Sequence, residues 1–149
     1  AVVRPVRGNV LTRLEKLDRG EYGALILAEA GLKRLGLSHR IYQRFSPEQM
    51  VPAAGQGVMV TQSRAGEYAE LLEKLNHPDV ALCAQTERRL SALLGGDCSA
   101  PVGCHARCSG TQMTLYGFSG MGGVPKRAVV HGQARYAAAL AEELARQLA

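Results

Sequence analysis

The 149-residue chain has no tryptophan and only two phenylalanines and five tyrosines. It therefore lacks the interleaved aromatic platforms on which single-stranded nucleic acids stack. Lysine and arginine exceed aspartate and glutamate by five, yet they are dispersed along the chain rather than gathered into a stripe. A small anionic ligand accounts for that excess at least as well as a nucleic acid does, and no nucleic-acid partner is expected. No apolar run approaches the roughly 18 to 20 residues that span a bilayer, so no membrane segment is expected either. The opening stretch AVVRPVRGNV lacks the continuous apolar core of a secretion signal, and a cytoplasmic setting is expected. Cysteine is scarce: four residues, three of them within 98–108 and the fourth, Cys83, inside a helical pattern. That distribution is a poor basis for a disulfide framework, and reduced thiols are expected. There are no internal repeats and no low-complexity tract.

What is present reads as α/β. In NVLTRLEKLDRG, Val10, Leu14 and Leu17 share a helical face, with Asn9 as N-cap and Gly20 as the stop. The apolar run Ala24 to Ala28 predicts a buried strand, followed by a short helix closed by Gly36. RIYQRF and GVMVTQ predict two further strands on either side of the Pro- and Gly-punctuated crossing segment SPEQMVPAAGQG. Tyr68, Leu71, Leu72 and Leu75 form a helical stripe, and Pro78 opens a longer helix running to about Leu94, where Gly95 and Gly96 end it. Three short antiparallel strands follow, and a closing helix places Tyr136, Leu140, Leu144 and Leu148 along one stripe.

Three stretches carry candidate chemistry. GGDCSAPVGCHARC combines three cysteines with His105. A zinc site would need Cys98 to complete a knuckle of adjacent ligands, Cys104, His105 and Cys108, which is awkward; Cys104, Ala106 and Cys108 instead alternate onto one strand face, and no metal is expected. Cys98 follows a double-glycine break and precedes a strand entry, which places its sulfur on an accessible loop, either as a nucleophile or as an unremarkable loop thiol. In RPVRGNVLTRL, Arg7 precedes a helix start with unpaired N–H groups and Arg13 follows within the helix: an anion cradle suited to carboxylates, or a solvated basic helix start. Arg34 is by itself an ordinary helix charge. VPAAGQG lets the backbone approach a ligand closely, or acts as a plain hinge.

These stretches occur together and in order in one family. RGNVLTRLEKLDRGEYGALILAEAGLKRLGL, VPAAGQG, LNHPDVALCAQTERRL and LLGGDCSAPVG resemble the C-terminal half of the porphobilinogen deaminases, or hydroxymethylbilane synthases, of tetrapyrrole (haem and chlorophyll) biosynthesis. The resemblance covers nearly the whole chain and weakens after about Gly110. It implies part of a periplasmic-binding-protein-like two-domain α/β cleft, followed by a small α+β domain with a three-stranded antiparallel sheet. Residues 1–54 would complete the second domain, 55–75 would be a segment returning to the first, and 76–149 would be the third.

The resemblance also implies a role for each residue. Cys98 would hold a dipyrromethane cofactor through a thioether, with Arg7, Arg13, Gln56 and Gly57 bordering it. Arg7, Arg13 and Arg34 would bind the carboxylates of porphobilinogen and its oligomers. The implied transferase reaction joins four porphobilinogens head to tail with release of ammonia. The aspartate that handles protons in the family has no counterpart here, so the chain alone is expected to be inactive and to need the N-terminal half of the same enzyme. The full enzyme would be monomeric, and this portion would self-associate through open sheet edges. Asp97 departs from relatives that place the cysteine directly after the glycines. The alternative reading is a non-catalytic anion-binding α/β module.

Overall fold

A computed structural model describes residues 2–97 and 99–149. The chain divides into two compact units, Ala1–Arg44 and Phe45–Ala149. In the first, helix α1 (Val10–Asp18) starts where Asn9 caps it: the Asn9 carboxamide oxygen accepts the Thr12 N–H at 2.9 Å. Helix α2 (Glu29–Arg34) follows, closed by Gly36 in the left-handed region at φ +69°. Among the described residues of this unit Leu14 and Leu32 are the buried apolar ones, and Gly31 of α2 faces the Val10 side chain of α1. A single 3₁₀ turn occupies Ser38–Arg40.

The second unit contains α3 (Ala69–Leu75), α4 (Pro78–Leu93), strands β1 (Val102–Ser109), β2 (Gln112–Ser119) and β3 (Lys126–Gln133), and α5 (Ala137–Leu148). The sheet has the order β1-β2-β3 and is antiparallel throughout, with Ala106 opposite Leu115 and Leu115 opposite Val130. Period-two alternation sends Cys104, Ala106, Met113, Leu115 and Val130 to one face, where they pack under Leu90 of α4 and Leu140, Ala141, Leu144 and Leu148 of α5. Two glycines let α5 lie close. A Cβ on Gly117 would collide with the Leu148 side chain, and one on Gly132 would come within 2.8 Å of Leu140.

The edge of β1 is sealed by its own chain. The N–H groups of Val102, Cys104 and Ala106 donate respectively to the carbonyls of Ala100 (2.8 Å) and Pro52 (2.7 Å) and to the Glu87 carboxylate (2.8 Å). The segment ahead of Pro52 is tied to the sheet as well, because Arg127 donates to the Gln49 carbonyl at 3.1 Å.

Several expected elements differ. Ala24 to Ala28, RIYQRF and GVMVTQ are not strands, and Ile26, Met59 and Val60 are exposed. Apolar, β-branched segments become strands only when a ladder partner satisfies their N–H and C=O groups, and none of the three has one among the described residues. The strands among the described residues are therefore all antiparallel and all in the C-terminal part, in place of a strand and helix alternation. Tyr68 does not join a buried stripe. It is the exposed N-cap of α3 with φ +60°, and α3 buries no residue. Tyr136 likewise caps α5 from an exposed position, and Ala137 takes the buried place.

Candidate functional site

Arg7 and Arg13 both belong to the start of α1. Gly8, between Arg7 and the cap, has φ +121°, and a Cβ there would sit 3.0 Å from the Thr12 side chain. The Arg7 side chain is exposed and its carbonyl accepts from Lys16 Nζ at 3.3 Å. Arg13 folds back so that its Nε donates to the Gly8 carbonyl at 2.7 Å, which fixes the guanidinium beside the helix start. Arg34, the last residue of α2, is exposed and has no carboxylate partner among the described residues. Lys33 beside it pairs with Glu29 at 2.9 Å, as does Arg44 at 2.8 Å. These guanidinium groups present a planar pair of donors suited to carboxylates.

Gln56 and Gly57 lie in the second unit, in two consecutive turns. Gln56 N–H donates to the Ala53 carbonyl and Val58 N–H to the Gly55 carbonyl, both at 3.1 Å. Gly55 and Gly57 take φ +73° and +83°, conformations that glycine adopts without the Cβ penalty. Gln56 and Gly57 are exposed. The turn is no free hinge, because the Gly55 N–H donates to Glu87 Oε2 at 2.7 Å.

Glu87 is the residue that sequence reasoning missed. Its side chain is only 6% exposed and lies 3.4 Å from His105 Nδ1. Its two oxygens receive the Gly55 and Ala106 N–H groups, so one carboxylate joins the AAGQG turn, helix α4 and strand β1. A signal existed. Cys83, Thr86, Glu87, Leu90 and Leu94 fall on one face at helical spacing, and an acid on an otherwise core-facing stripe needs partners.

The same helix leads into the cysteine loop. Gly95 has φ +67° and Gly96 N–H donates to the Ser91 carbonyl at 2.8 Å. A Cβ on Gly96 would lie 2.6 Å from Ser91 Oγ and 2.9 Å from its carbonyl oxygen. The double glycine is thus needed twice, once for conformation and once for close approach. Asp97 Oδ1 accepts from Ser99 N–H (2.7 Å), Ser99 Oγ (2.7 Å) and Ala100 N–H (2.8 Å). Those bonds, led by the one from the Ser99 hydroxyl, hold its carboxyl below the usual aspartate range, and they shape the turn into β1. Cys98 itself lies outside the described residues.

Among the described residues the other three cysteines are free thiols. Cys104 is fully buried against the helices, and burial, reinforced by the Glu87 carboxylate, pushes its thiol up to about 12. His105 points to the opposite face and stacks on Tyr116, with ring centroids 6.1 Å apart. Cys104 and His105 therefore diverge rather than converge on a common point.

The matches to known proteins cover nearly all of this architecture. A family model described as "Porphobilinogen deaminase, dipyromethane cofactor binding domain" matches residues 1–71, and one described as "Porphobilinogen deaminase, C-terminal domain" matches residues 81–149. A relative from Chromobacterium violaceum named porphobilinogen deaminase is 46% identical over 98% of this chain and 48% of its own length. Relatives of the same name are 48% identical in Thiobacillus denitrificans, over 78% of this chain and 39% of the relative, and 41% identical in Coxiella burnetii, over 98% and 49%. The chain spans about half the length of the curated relatives it matches.

Proposed function

Because the chain belongs to the porphobilinogen deaminase family, we propose that it is the C-terminal portion of a transferase. That enzyme joins four porphobilinogens head to tail with loss of ammonia, and the chain works together with the part of the relatives' length that it does not span. The observation that carries this reading is that both family models match in order and the second includes the built loop Gly95–Asp97 ahead of Cys98.

Cys98 is the thioether anchor of a dipyrromethane cofactor. When bound, that group supplies the terminal pyrrole carbon from which the product chain grows. By residue type the donor set suits it: the Cys98 thiol for the covalent bond, and Arg7 and Arg13 as cations for its carboxylates. Arg13 is braced for this by its bond to the Gly8 carbonyl. Gln56 and Gly57 border the cofactor, on a turn that Glu87 holds to the helix leading into the cysteine loop. Arg7, Arg13 and Arg34 bind the acetate and propionate groups of the substrate and of each added ring.

Residues 1–54 complete the second domain of a periplasmic-binding-protein-like cleft, residues 55–75 return to the first, and residues 76–149 form the third. The exposed apolar stretches around Ile26, Met59 and Val60 support this, since each has the character of a buried strand and lacks a ladder partner among the described residues. The setting is cytoplasmic, which the free thiols suit. The complete assembly is a monomer, and the chain alone self-associates through its open sheet edges.

The test is reconstitution. The chain is produced with the remaining part of the Chromobacterium violaceum relative, porphobilinogen is added, and ammonia release and intact mass are followed. The expected result is ammonia release with a dipyrromethane-sized adduct on Cys98, neither of which appears for C98S or for the chain alone. A complex that forms and consumes porphobilinogen without an adduct on Cys98 overturns the assignment.

A further inference from the structure

Cys83, on the core-facing side of α4, and Cys108, near the end of β1, bring their sulfurs to 3.4 Å, with the Cys83 thiol donating toward Cys108. Neither is needed for the proposed chemistry at Cys98. Both are half-buried, so a small oxidant reaches them, whereas Cys104 is fully enclosed. The pair straddles the helix end, the double glycine and the strand entry, so the chain between the two thiols contains both Glu87 and the Cys98 loop.

We propose that Cys83 and Cys108 form a reversible dithiol–disulfide site, taking a low-molecular-weight disulfide as co-reactant, which when oxidised staples α4 to β1 at the ends of the two elements remote from the Cys98 loop. The Cys108 sulfur, as thiolate, attacks the small disulfide, forming a mixed disulfide and releasing one small thiol. The Cys83 sulfur, losing its proton, then attacks the Cys108 sulfur and releases the second. Two protein thiols are oxidised and one small disulfide is reduced to two thiols, with both protons ending on the released molecules. Closing the 3.4 Å gap to a bond of about 2.0 Å needs side-chain rotation between two elements already packed together. Burial and the neighbouring Cys108 thiol push Cys83 up to about 12 in the reduced pair, so formation of the cross-link speeds up with pH.

The test treats the 149-residue chain with oxidised glutathione, blocks remaining thiols and digests with trypsin without reductant. Cleavage after Lys74, Arg88, Arg89, Arg107 and Lys126 places Cys83 and Cys108 in separate peptides, and Cys98 with Cys104 in a third. The expected product is a cross-link between peptides 75–88 and 108–126, with an intact mass lower by two hydrogens, a thermal midpoint raised by several degrees, and full reversal by dithiothreitol. A glutathione adduct on Cys108 that persists without cross-linking overturns the proposal, as does a cross-link through the 90–107 peptide. Because the linkage is read in the unaltered chain, the outcome does not depend on whether C83S or C108S folds.

Discussion

Glu87 accepts the Gly55 N–H at 2.7 Å with one carboxylate oxygen and the Ala106 N–H at 2.8 Å with the other. Four residues further along the same helix, the Ser91 carbonyl accepts the Gly96 N–H at 2.8 Å. Helix α4 is thus the common support of the AAGQG turn and of the glycine loop, and a shift of either is transmitted to the other through little more than one helical turn.

Replacing Glu87 by glutamine keeps its shape but puts an amide NH₂ against one of two backbone donors. Removal of an acceptor from a buried N–H costs about 1–3 kcal/mol, so E87Q should lose that much stability and E87A, which strands both donors, more. Urea unfolding measures the loss, and hydrogen exchange should show faster exchange at Gly55 or Ala106. Unchanged protection at both amides in E87A would refute the tether.

The Gly96 position should not accept alanine. Its Cβ would fall 2.9 Å from the Ser91 carbonyl oxygen, a backbone atom that cannot rotate away. Overpacking of this kind costs about 1–3 kcal/mol, and G96A is expected to lower the thermal midpoint accordingly. S91A should not rescue it, because the carbonyl remains.

Acid titration isolates a second contact. The hydroxyls of Ser46 and then Tyr116 hold the Glu48 carboxyl down at about 2 from its ordinary 4.5. A carboxyl depressed in the folded state contributes stability that is present above about 4.5 and is lost as the pH falls through about 2. Carbon-detected NMR should place the Glu48 midpoint near the bottom of that window. Y116F should raise it toward the ordinary value, and an unmoved midpoint would count against the contact.

The thiols act at the other end of the scale. Burial raises Cys104 from its ordinary 9.0 to about 12, so the folded state favours the neutral thiol. Its contribution is complete below about pH 9 and declines as the pH rises toward 12. Thermal midpoints should fall across that interval, and less steeply in C104A. At pH 8, iodoacetamide should leave Cys104 unmodified until the protein unfolds.

Much of the C-terminal unit is legible in sequence because its signals are local, as is the start of the first helix. Asn9 announces α1, Pro78 announces α4, and alternation over Cys104, Ala106 and Cys108 gives the inner face of β1. The misread segments share one cause. The run from Ala24 to Ala28 records that a segment is apolar, but whether it becomes a strand depends on a partner, which composition does not encode. The candidate site divides the same way. The double glycine is visible as a loop signal, yet Ser91's approach to Gly96 and the grip of Glu87 on Gly55 depend on how distant residues pack.

The sealed edge of β1 decides how copies of this sheet are able to meet. Val102, Cys104 and Ala106 have already spent their outward N–H groups within the chain, which leaves β3 as the edge with no strand beside it among the described residues. Growth of an endless stack requires two complementary edges on each copy. With those β1 donors taken, an added strand would find its free ladder along β3, and repetition in one direction lacks a second such edge.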